Sequence, residues 1–539
     1  MPLRIPPLFR SFIFWLLVAI FAFEFFLFDH YGARRFTGFF PRWHDQVQYL
    51  TESYTGYEFA RSRGLFAGLL NALTNPSSQG TLHDFFTLFT FSFSSPSRSA
   101  ALSLNMVALI LWQAALFFAV VRTSGSRPLA FATALLPLVL AGPWENIPGS
   151  AFDFRLDHLA MCAIGLVAAA AIAADGFYSR AGATWFGVAV GIAVLTRFRT
   201  GPYFVLIFAA LAGWILLGPP ERRTRGLNLL RAAGIAAVIA VPTLWLNYEA
   251  IAADYAPATY FGPASGLRGA NADAGGAITF VFDQLGRRHL GVFFGVIAVA
   301  GTLALAVLRR TDREPVNRDL WGLGVIFLLA PAVVLVLHPQ KSEVLTSALV
   351  PGVITLVVAA WSVASRRAGS HVRAIFASVV TVAALAFFIH KQVPPAYTPA
   401  ELIDLRQINT LAVNLQTRAR LGGLREPKVS VDHVSDALDG RVFGVIAYER
   451  KHAWLPFETL LPAGVGEPAA PAVMERLARS DFVLLTEQSP AQHYPYDRAM
   501  TAMAPDVRAW CDANLRATDR FTLAGRSMVL YQRREIPLP

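Results

Sequence analysis

Two cysteines in 539 residues, Cys162 inside an apolar run and Cys511 near the C-terminal end, exclude a disulfide framework and a four-thiolate zinc site. Redox chemistry is not indicated. Charge is also scarce: 15% of the chain, against about a quarter in soluble globular proteins, which excludes a soluble enzyme. Lysine is the scarcest basic residue, with only Lys341, Lys391, Lys428 and Lys451 among 47 basic side chains. The formal net charge of +11 therefore comes with no lysine run, and the arginines cluster between apolar segments. That placement is a membrane topology signal and not a nucleic-acid footprint, so nucleic acid is not an expected partner. The bias towards arginine and alanine reflects a GC-rich bacterial genome.

What is abundant is apolar surface, 55% of residues, arranged in runs about long enough to cross a hydrocarbon core. We read about eleven spans: Ser11–Phe28, Leu102–Val121, Leu129–Ala141, Leu159–Ala174, Ala183–Leu195, Tyr203–Leu217, Ala232–Leu246, Leu290–Leu308, Leu320–Leu337, Val344–Val363 and Val372–Ile389. The first is too long and lacks a small-residue cleavage site, so it reads as a retained anchor and not a removed signal peptide. Basic residues mark alternate loops: Arg4 and Arg10, Arg122 and Arg127, Arg180, Arg222 to Arg225, Arg309 to Arg318, and Arg366 to Arg373. By the positive-inside bias these loops and the N-terminus face the cytoplasm. With an odd number of spans, the C-terminal part then lies outside the bacterial cytoplasmic membrane. The expected fold class is a polytopic α-helical membrane protein with a small C-terminal α/β soluble domain. Residues 1–393 form the membrane domain, with a long first outer loop at 29–101, and residues 394–539 form the soluble domain.

That soluble part opens with the hinge prolines Pro394, Pro395 and Pro399 and a helical pattern over Glu401–Leu421. Strand-like Lys428–Val431, Asp481–Thr486 and Ser527–Gln532 follow, with a helical Asp506–Leu515 between the last two. In the first outer loop the aromatic Phe85–Phe93 run reads as a helix in the membrane interface. The Gly/Ala-rich loop from Ile251 reads either as a flexible cover, with Tyr255 and Arg268 as ligand contacts, or as a plain connector.

Polar residues gather on the outward set of loops. Arg42 to Tyr49 places Asp45 just beyond the first span, where a carboxylate can act as general base, hold a divalent ion, or merely cap a helix. Ser150 to His158 carries Asp153 and Asp157, four apart and on one face if the segment is already helical. Ionisable groups at a membrane boundary are functional candidates. Here an internal ion pair, with Arg155 or His158 neutralising an aspartate, is the competing reading. Arg197 and Arg199 sit on a short outer loop against the charge bias. An anionic ligand would explain them, as would snorkelling to headgroups. Lys341 repeats the exception, either as a second phosphate contact or in a surface pair with Glu343.

Together these pieces resemble the GT-C membrane glycosyltransferases, in the branch of protein O-mannosyltransferases, lipid A aminoarabinose transferases and rhizobial core glycosyltransferases. The matching residues are Asp45 and Tyr49 in an Asp-x-x-x-Tyr, Asp157 entering the fourth span, Gly191-x-x-x-Leu195-Thr196-Arg197, and Lys341 ahead of Leu349-x-Pro351. Two departures stand out. The Asp-Glu common in relatives is His44-Asp45-Gln46 here, and arginine stands at Arg197 where lysine is common.

The resemblance implies an inverting transferase that takes a sugar from a polyprenyl-phosphate donor and gives it to a glycan, lipid or protein acceptor in the cell envelope. Arg197, Arg199 and Lys341 would hold the donor phosphate, and Asp45 would be the base. Asp153 and Asp157 would orient acceptor or sugar or share a divalent cation, Mg or Mn, with Asp45. His44, Tyr49, Arg155 and His158 would contact substrate. Metal use stays open. The rival readings are a transporter or flippase of a lipid-linked intermediate, and a receptor or assembly subunit working through its soluble domain. A transporter would place ionisable groups at the midplane of repeat-related helices, a pattern absent from the sequence.

Overall fold

A computed structural model describes the chain except for residues 1–11, 38–40, 42–43, 219–220, 257–272, 308–317, 339–340, 366–368, 394–397, 425–426, 433–439, 452–456, 461–469, 489–497 and 537–539. The chain forms two compact units, one of Met1–Ala33, Ala60–Phe93 and Ser99–Pro394, the other of Arg34–Phe59, Ser94–Arg98 and Pro395–Pro539.

The first unit is helical, and among the described residues nine helices are long and apolar enough to cross a membrane. At 1.5 Å rise, even the shortest of these reaches about 27 Å, and a helix satisfies all its backbone groups without water. Two shorter apolar helices, Arg127–Val139 and Arg180–Thr196, coincide with the two short spans expected from sequence. The helices differ in what surrounds them. Leu156–Ala173 and Val344–Ser365 are 83% and 72% buried, whereas Phe12–Thr37, Arg222–Leu246 and Gly275–Ala306 are 22% buried. The first pair therefore forms the centre of the bundle, and the others present apolar side chains to lipid. Close helix approach rests on small residues, as in membrane bundles generally. Gly352 lies against the backbone of Phe327 and Leu328, and Gly187 against that of Ala232, leaving no room for a β-carbon at either.

In the first outer loop, Leu82–Phe93 is a single helix that buries His83, Thr87, Leu88 and Phe91 and exposes Phe86, Phe89 and Phe93. Its two faces suit the interfacial placement expected from the aromatic run.

The second unit is built on a five-stranded sheet of order β2-β1-β3-β5-β4, with β1 Val429–Val431, β2 Phe457–Thr459, β3 Phe482–Thr486, β4 Leu515–Leu523 and β5 Arg526–Arg533. β1 runs parallel to β2 and β3, and β5 antiparallel to β3 and β4. Every residue of β3 is buried, as expected of a central strand covered on both faces. Val473, Leu477, Val483, Leu485, Val507, Cys511, Val529 and Tyr531 form the apolar core on one of them. Thr398 and Glu401 close a reciprocal capping box at the start of Pro399–Leu421, fixing where that helix begins. The small α/β domain read from sequence is thus present. Its β2 and β4 were not legible: β2 is three residues long, and β4 starts at Leu515, where the sequence reading ends a helix.

Candidate functional site

The membrane unit gathers its polar side chains where the central helix Leu156–Ala173 begins. The turn before it is fixed by Asp153, whose Oδ2 accepts the Gly149 backbone N–H at 2.7 Å and pairs with Arg155 Nε at 3.0 Å. Asn105 Nδ2 donates to the carbonyls of Ala151 and Asp153, at 3.0 Å each. Gly149 has φ +80°, which favours glycine, and a β-carbon there would meet Val344 and stand 3.3 Å from the Asp157 Cβ. Arg155 is the N-cap residue, so the helix starts after Asp153. Asp153 and Asp157 consequently do not share a helix face. Asp153 is fully buried and its carboxylate is occupied in the turn. Asp153 and Arg155 thus form the internal ion pair that was the competing reading from sequence.

Asp157 lies in the first helical turn, where the helix dipole favours a carboxylate. Its Oδ1 is 2.5 Å from Arg197 Nη1, with the two side chains 6% and 9% exposed. Arg197 is the C-cap of Arg180–Thr196, in extended backbone at φ −151°, and the short 3-10 turn Phe198–Thr200 follows. Two bonds to the first outer loop, Thr81 N–H to the Leu195 carbonyl at 2.9 Å and Phe198 N–H to the Gln79 carbonyl at 2.8 Å, hold this turn in place. Thr200 Oγ1 donates back to the Arg197 carbonyl at 2.9 Å. The outcome is a buried ion pair between two residues forty apart in sequence, each held by its own backbone geometry.

The pair lines a small, partly open pocket. Its lining mixes polar Asp157, Arg197, Arg199, Thr200, Tyr203 and Ser347 with apolar Ala160, Met161, Ile164, Leu345 and Ala348.

Lys341 is not among the lining residues. Its ammonium donates to the carbonyls of Val336 at 2.7 Å, His338 at 2.6 Å and Leu335 at 3.3 Å, capping the C-terminal end of Arg318–Leu337. A helix C-terminus carries unsatisfied carbonyls and partial negative charge, and three N–H donors suit it. The ammonium is thus engaged as a helix cap. This leaves the Lys341–Glu343 pair unrealised: Glu343 Oε1 is 3.0 Å from Arg288 Nη1.

His158 is fully buried, with Nε2 3.6 Å from Cys162 Sγ one turn along the helix, and is not among the residues that line the pocket. Asp45 and Tyr49 belong to the second unit, one turn apart on the helix His44–Arg63, with Asp45 exposed and Tyr49 half-buried. The side chain of His44, and those of Tyr255 and Arg268, lie outside the described residues. Among the described residues no three His, Cys, Asp or Glu side chains converge as a metal site requires.

No family model and no curated protein matches this sequence. Solved structures do. The chain is similar to ArnT from Cupriavidus metallidurans bound to undecaprenyl phosphate, with a TM-score of 0.58 at 12% identity, covering 97% of this chain and 99% of that one. The apo structure of the same protein gives a TM-score of 0.57 at 12% identity, covering 96% of this chain and 97% of that one. The chain shares the fold of that protein.

Sequence reasoning missed several residues at the site. Tyr203 and Ser347 are single polar groups in apolar runs, and no sequence signal separates them from tolerated ones. Arg288 and His289 did carry a signal, being basic residues on a loop that the sequence reading takes as outward-facing, as it does that of Arg197. Arg288 Nη2 donates to the Pro148 carbonyl at 3.1 Å. His289 Nε2 lies 3.0 Å from the Glu343 carbonyl and 2.9 Å from Thr346 Oγ1. They join the Gly149 turn to the start of Val344–Ser365.

Proposed function

We propose that the chain is an integral-membrane, inverting glycosyltransferase. It moves a sugar from a polyprenyl-phosphate donor to a cell-envelope acceptor on the outer face of the bacterial cytoplasmic membrane. The observation that carries the reading is the pocket lined by Arg197, Arg199 and Tyr203 together with Ala160, Met161, Ile164, Leu345 and Ala348. Support comes from the similarity of fold to a protein whose structure holds undecaprenyl phosphate.

In this reading Arg199 and Arg197 hold the donor phosphate, the guanidinium being the side chain best matched to phosphate oxygens. Asp157 fixes the direction of Arg197. An acceptor hydroxyl attacks the anomeric carbon from the face opposite the phosphate, the C–O bond to phosphate breaks, and configuration inverts. Asp45 takes the hydroxyl proton, and the lipid phosphate leaves with one more negative charge than it had as a diester. The arginines stabilise that developing charge, an effect that is large where water is excluded. Lipid, donor and acceptor are the partners. The identity of sugar and acceptor is left to experiment, as is any divalent cation.

The test is transfer or donor hydrolysis by purified protein with a panel of radiolabelled polyprenyl-phosphate sugars. Asp45→Asn should abolish turnover while donor binding is retained, and Arg199→Ala should weaken donor binding. No turnover with any donor, together with movement of lipid-linked sugar between leaflets of reconstituted vesicles, would replace the enzyme by the transporter.

A further inference from the structure

The second unit contains the sheet domain and, far away in sequence, the first part of the outer-loop helix His44–Arg63. That helix has a buried stripe, Gln46, Val47, Leu50, Ser53 and Tyr54, and an exposed one, Asp45, Gln48, Glu52 and Thr55. The buried stripe ends in polar contacts to the helix Gly440–Lys451, which connects β1 to β2. Tyr54 hydroxyl donates to Glu449 Oε1 at 2.8 Å, and Tyr448 hydroxyl donates to Glu58 Oε1 at 2.6 Å, so each helix gives one phenol and one carboxylate. The two rings pack at 4.8 Å. Arg98 Nε donates to both Glu449 oxygens, at 2.8 and 3.1 Å, and its Nη2 to the Thr37 carbonyl at 3.0 Å. Glu449 therefore joins three segments, its own helix, the outer-loop helix and Arg98 with the Thr37 backbone.

We propose that the C-terminal domain is a positioning device for the outer-loop helix, with Glu449 as the residue that fixes the orientation of Asp45. The proposal rests on the reading of Asp45 as the base. Fully buried Tyr54 and Tyr448 anchor the helix at Tyr54 and Glu58, and Asp45 stands at its other end. Nine residues separate Asp45 from Tyr54, about 13.5 Å along the axis. At that lever arm a tilt of about 5° displaces Asp45 by about 1.2 Å, and a misplacement of about 1 Å at a reacting group costs on the order of 10²-fold in rate. A loosened anchor thus acts at the far end of the helix, where the chemistry is, with no change at the donor cavity of the other unit.

The experiment uses the full-length protein in lipid nanodiscs with Tyr54→Phe, Glu449→Gln and Asp45→Asn. Three quantities are read: amide hydrogen exchange over residues 44–52, affinity for undecaprenyl phosphate, and turnover of the polyprenyl-phosphate sugar that the wild type uses. Expected for Tyr54→Phe and Glu449→Gln are about tenfold faster exchange over 44–52, a kcat lower by about 10- to 100-fold, and unchanged donor KM and undecaprenyl phosphate affinity. In the Asp45→Asn background Glu449→Gln should have no further effect on turnover. Unchanged exchange over 44–52, or faster exchange with wild-type kcat while Asp45→Asn is inactive, overturns the proposal. If Asp45→Asn itself keeps wild-type kcat, the base assignment falls alone. Exchange then decides the mechanical contact, upheld if Glu449→Gln loosens 44–52 and overturned if it does not.

Discussion

Removing the Asp157–Arg197 pair one partner at a time separates its structural task from its task at the cavity. Asp157→Asn strips the counter-charge from a guanidinium whose side chain is only 9% exposed, and Arg197→Gln does the same to a carboxylate that is 6% exposed. A buried charge left alone costs about 3–5 kcal/mol, whereas removing both charges is often close to neutral. The double substitution Asp157→Asn/Arg197→Gln should therefore be more stable than either single one, with a coupling energy at the upper end of ~0.5–3 kcal/mol. Donor affinity should behave differently. A charge-assisted bond from Arg197 to phosphate is worth about 1.5–3 kcal/mol, or about 10- to 150-fold in affinity, and the double substitution does not restore it. The assay pairs thermal unfolding in nanodiscs, followed by tryptophan fluorescence, with equilibrium binding of undecaprenyl phosphate. Strictly additive stability losses would refute the buried pair, and wild-type binding by the double variant would remove Arg197 from the phosphate site.

Three further outcomes follow from the geometry. Gly149→Ala forces a left-handed backbone on alanine and drives its β-carbon into Val344, so unfolding should be easier by about 1–3 kcal/mol, with undecaprenyl phosphate binding weakened through displaced Asp157; a thermal midpoint equal to wild type would refute this. Lys341→Ala should cost about 0.3–1 kcal/mol of stability through the lost helix cap and leave undecaprenyl phosphate affinity within about twofold; a tenfold loss of affinity would return Lys341 to the phosphate site. In the second unit burial raises Tyr54 well above the usual phenol range, reinforced by the charge of Glu449. Burial likewise lifts Cys511 and Tyr531 to about 12, with Asp512 adding to both. Groups raised on folding stabilise the unit below their ordinary pKa values, and that contribution is lost as pH rises through the folded ones. Circular dichroism of the sheet should therefore hold to about pH 9 and fall towards pH 12, with phenol ionisation followed at 295 nm, and a phenol titration complete before the sheet signal moves would contradict it.

Much of the membrane fold was legible because the bilayer permits so few solutions. Each apolar run bounded by arginines became a helix, including the short Arg127–Val139 and Arg180–Thr196. The sheet domain was legible where strands are long and apolar, as β3 and β5 are, and not at β2, whose three residues carry no period. That residues 34–59 join the sheet domain could not be read at all. The contacts responsible are Tyr54 and Glu58 reaching Glu449 and Tyr448, almost four hundred positions away.

At the site, residue type was legible and partnership was not. Asp153 and Asp157 look alike in sequence, two carboxylates four apart at the entrance to one span. What divides them is the helix boundary. Arg155 is the N-cap, so Asp153 falls in the turn and is used up by Gly149 and Arg155, while Asp157 falls in the first helical turn and faces Arg197 and the cavity. In sequence Lys341 and Arg197 look equally like phosphate ligands, both cations in turns read as outward against the charge bias. The carbonyls of Val336 and His338 take the Lys341 ammonium because they end a helix next to it, whereas Arg197 ends its helix in extended backbone and its side chain turns to the cavity. In both comparisons the deciding quantity is where a helix stops. That boundary is the least legible feature of a sequence and, in this chain, the one that assigns the chemistry.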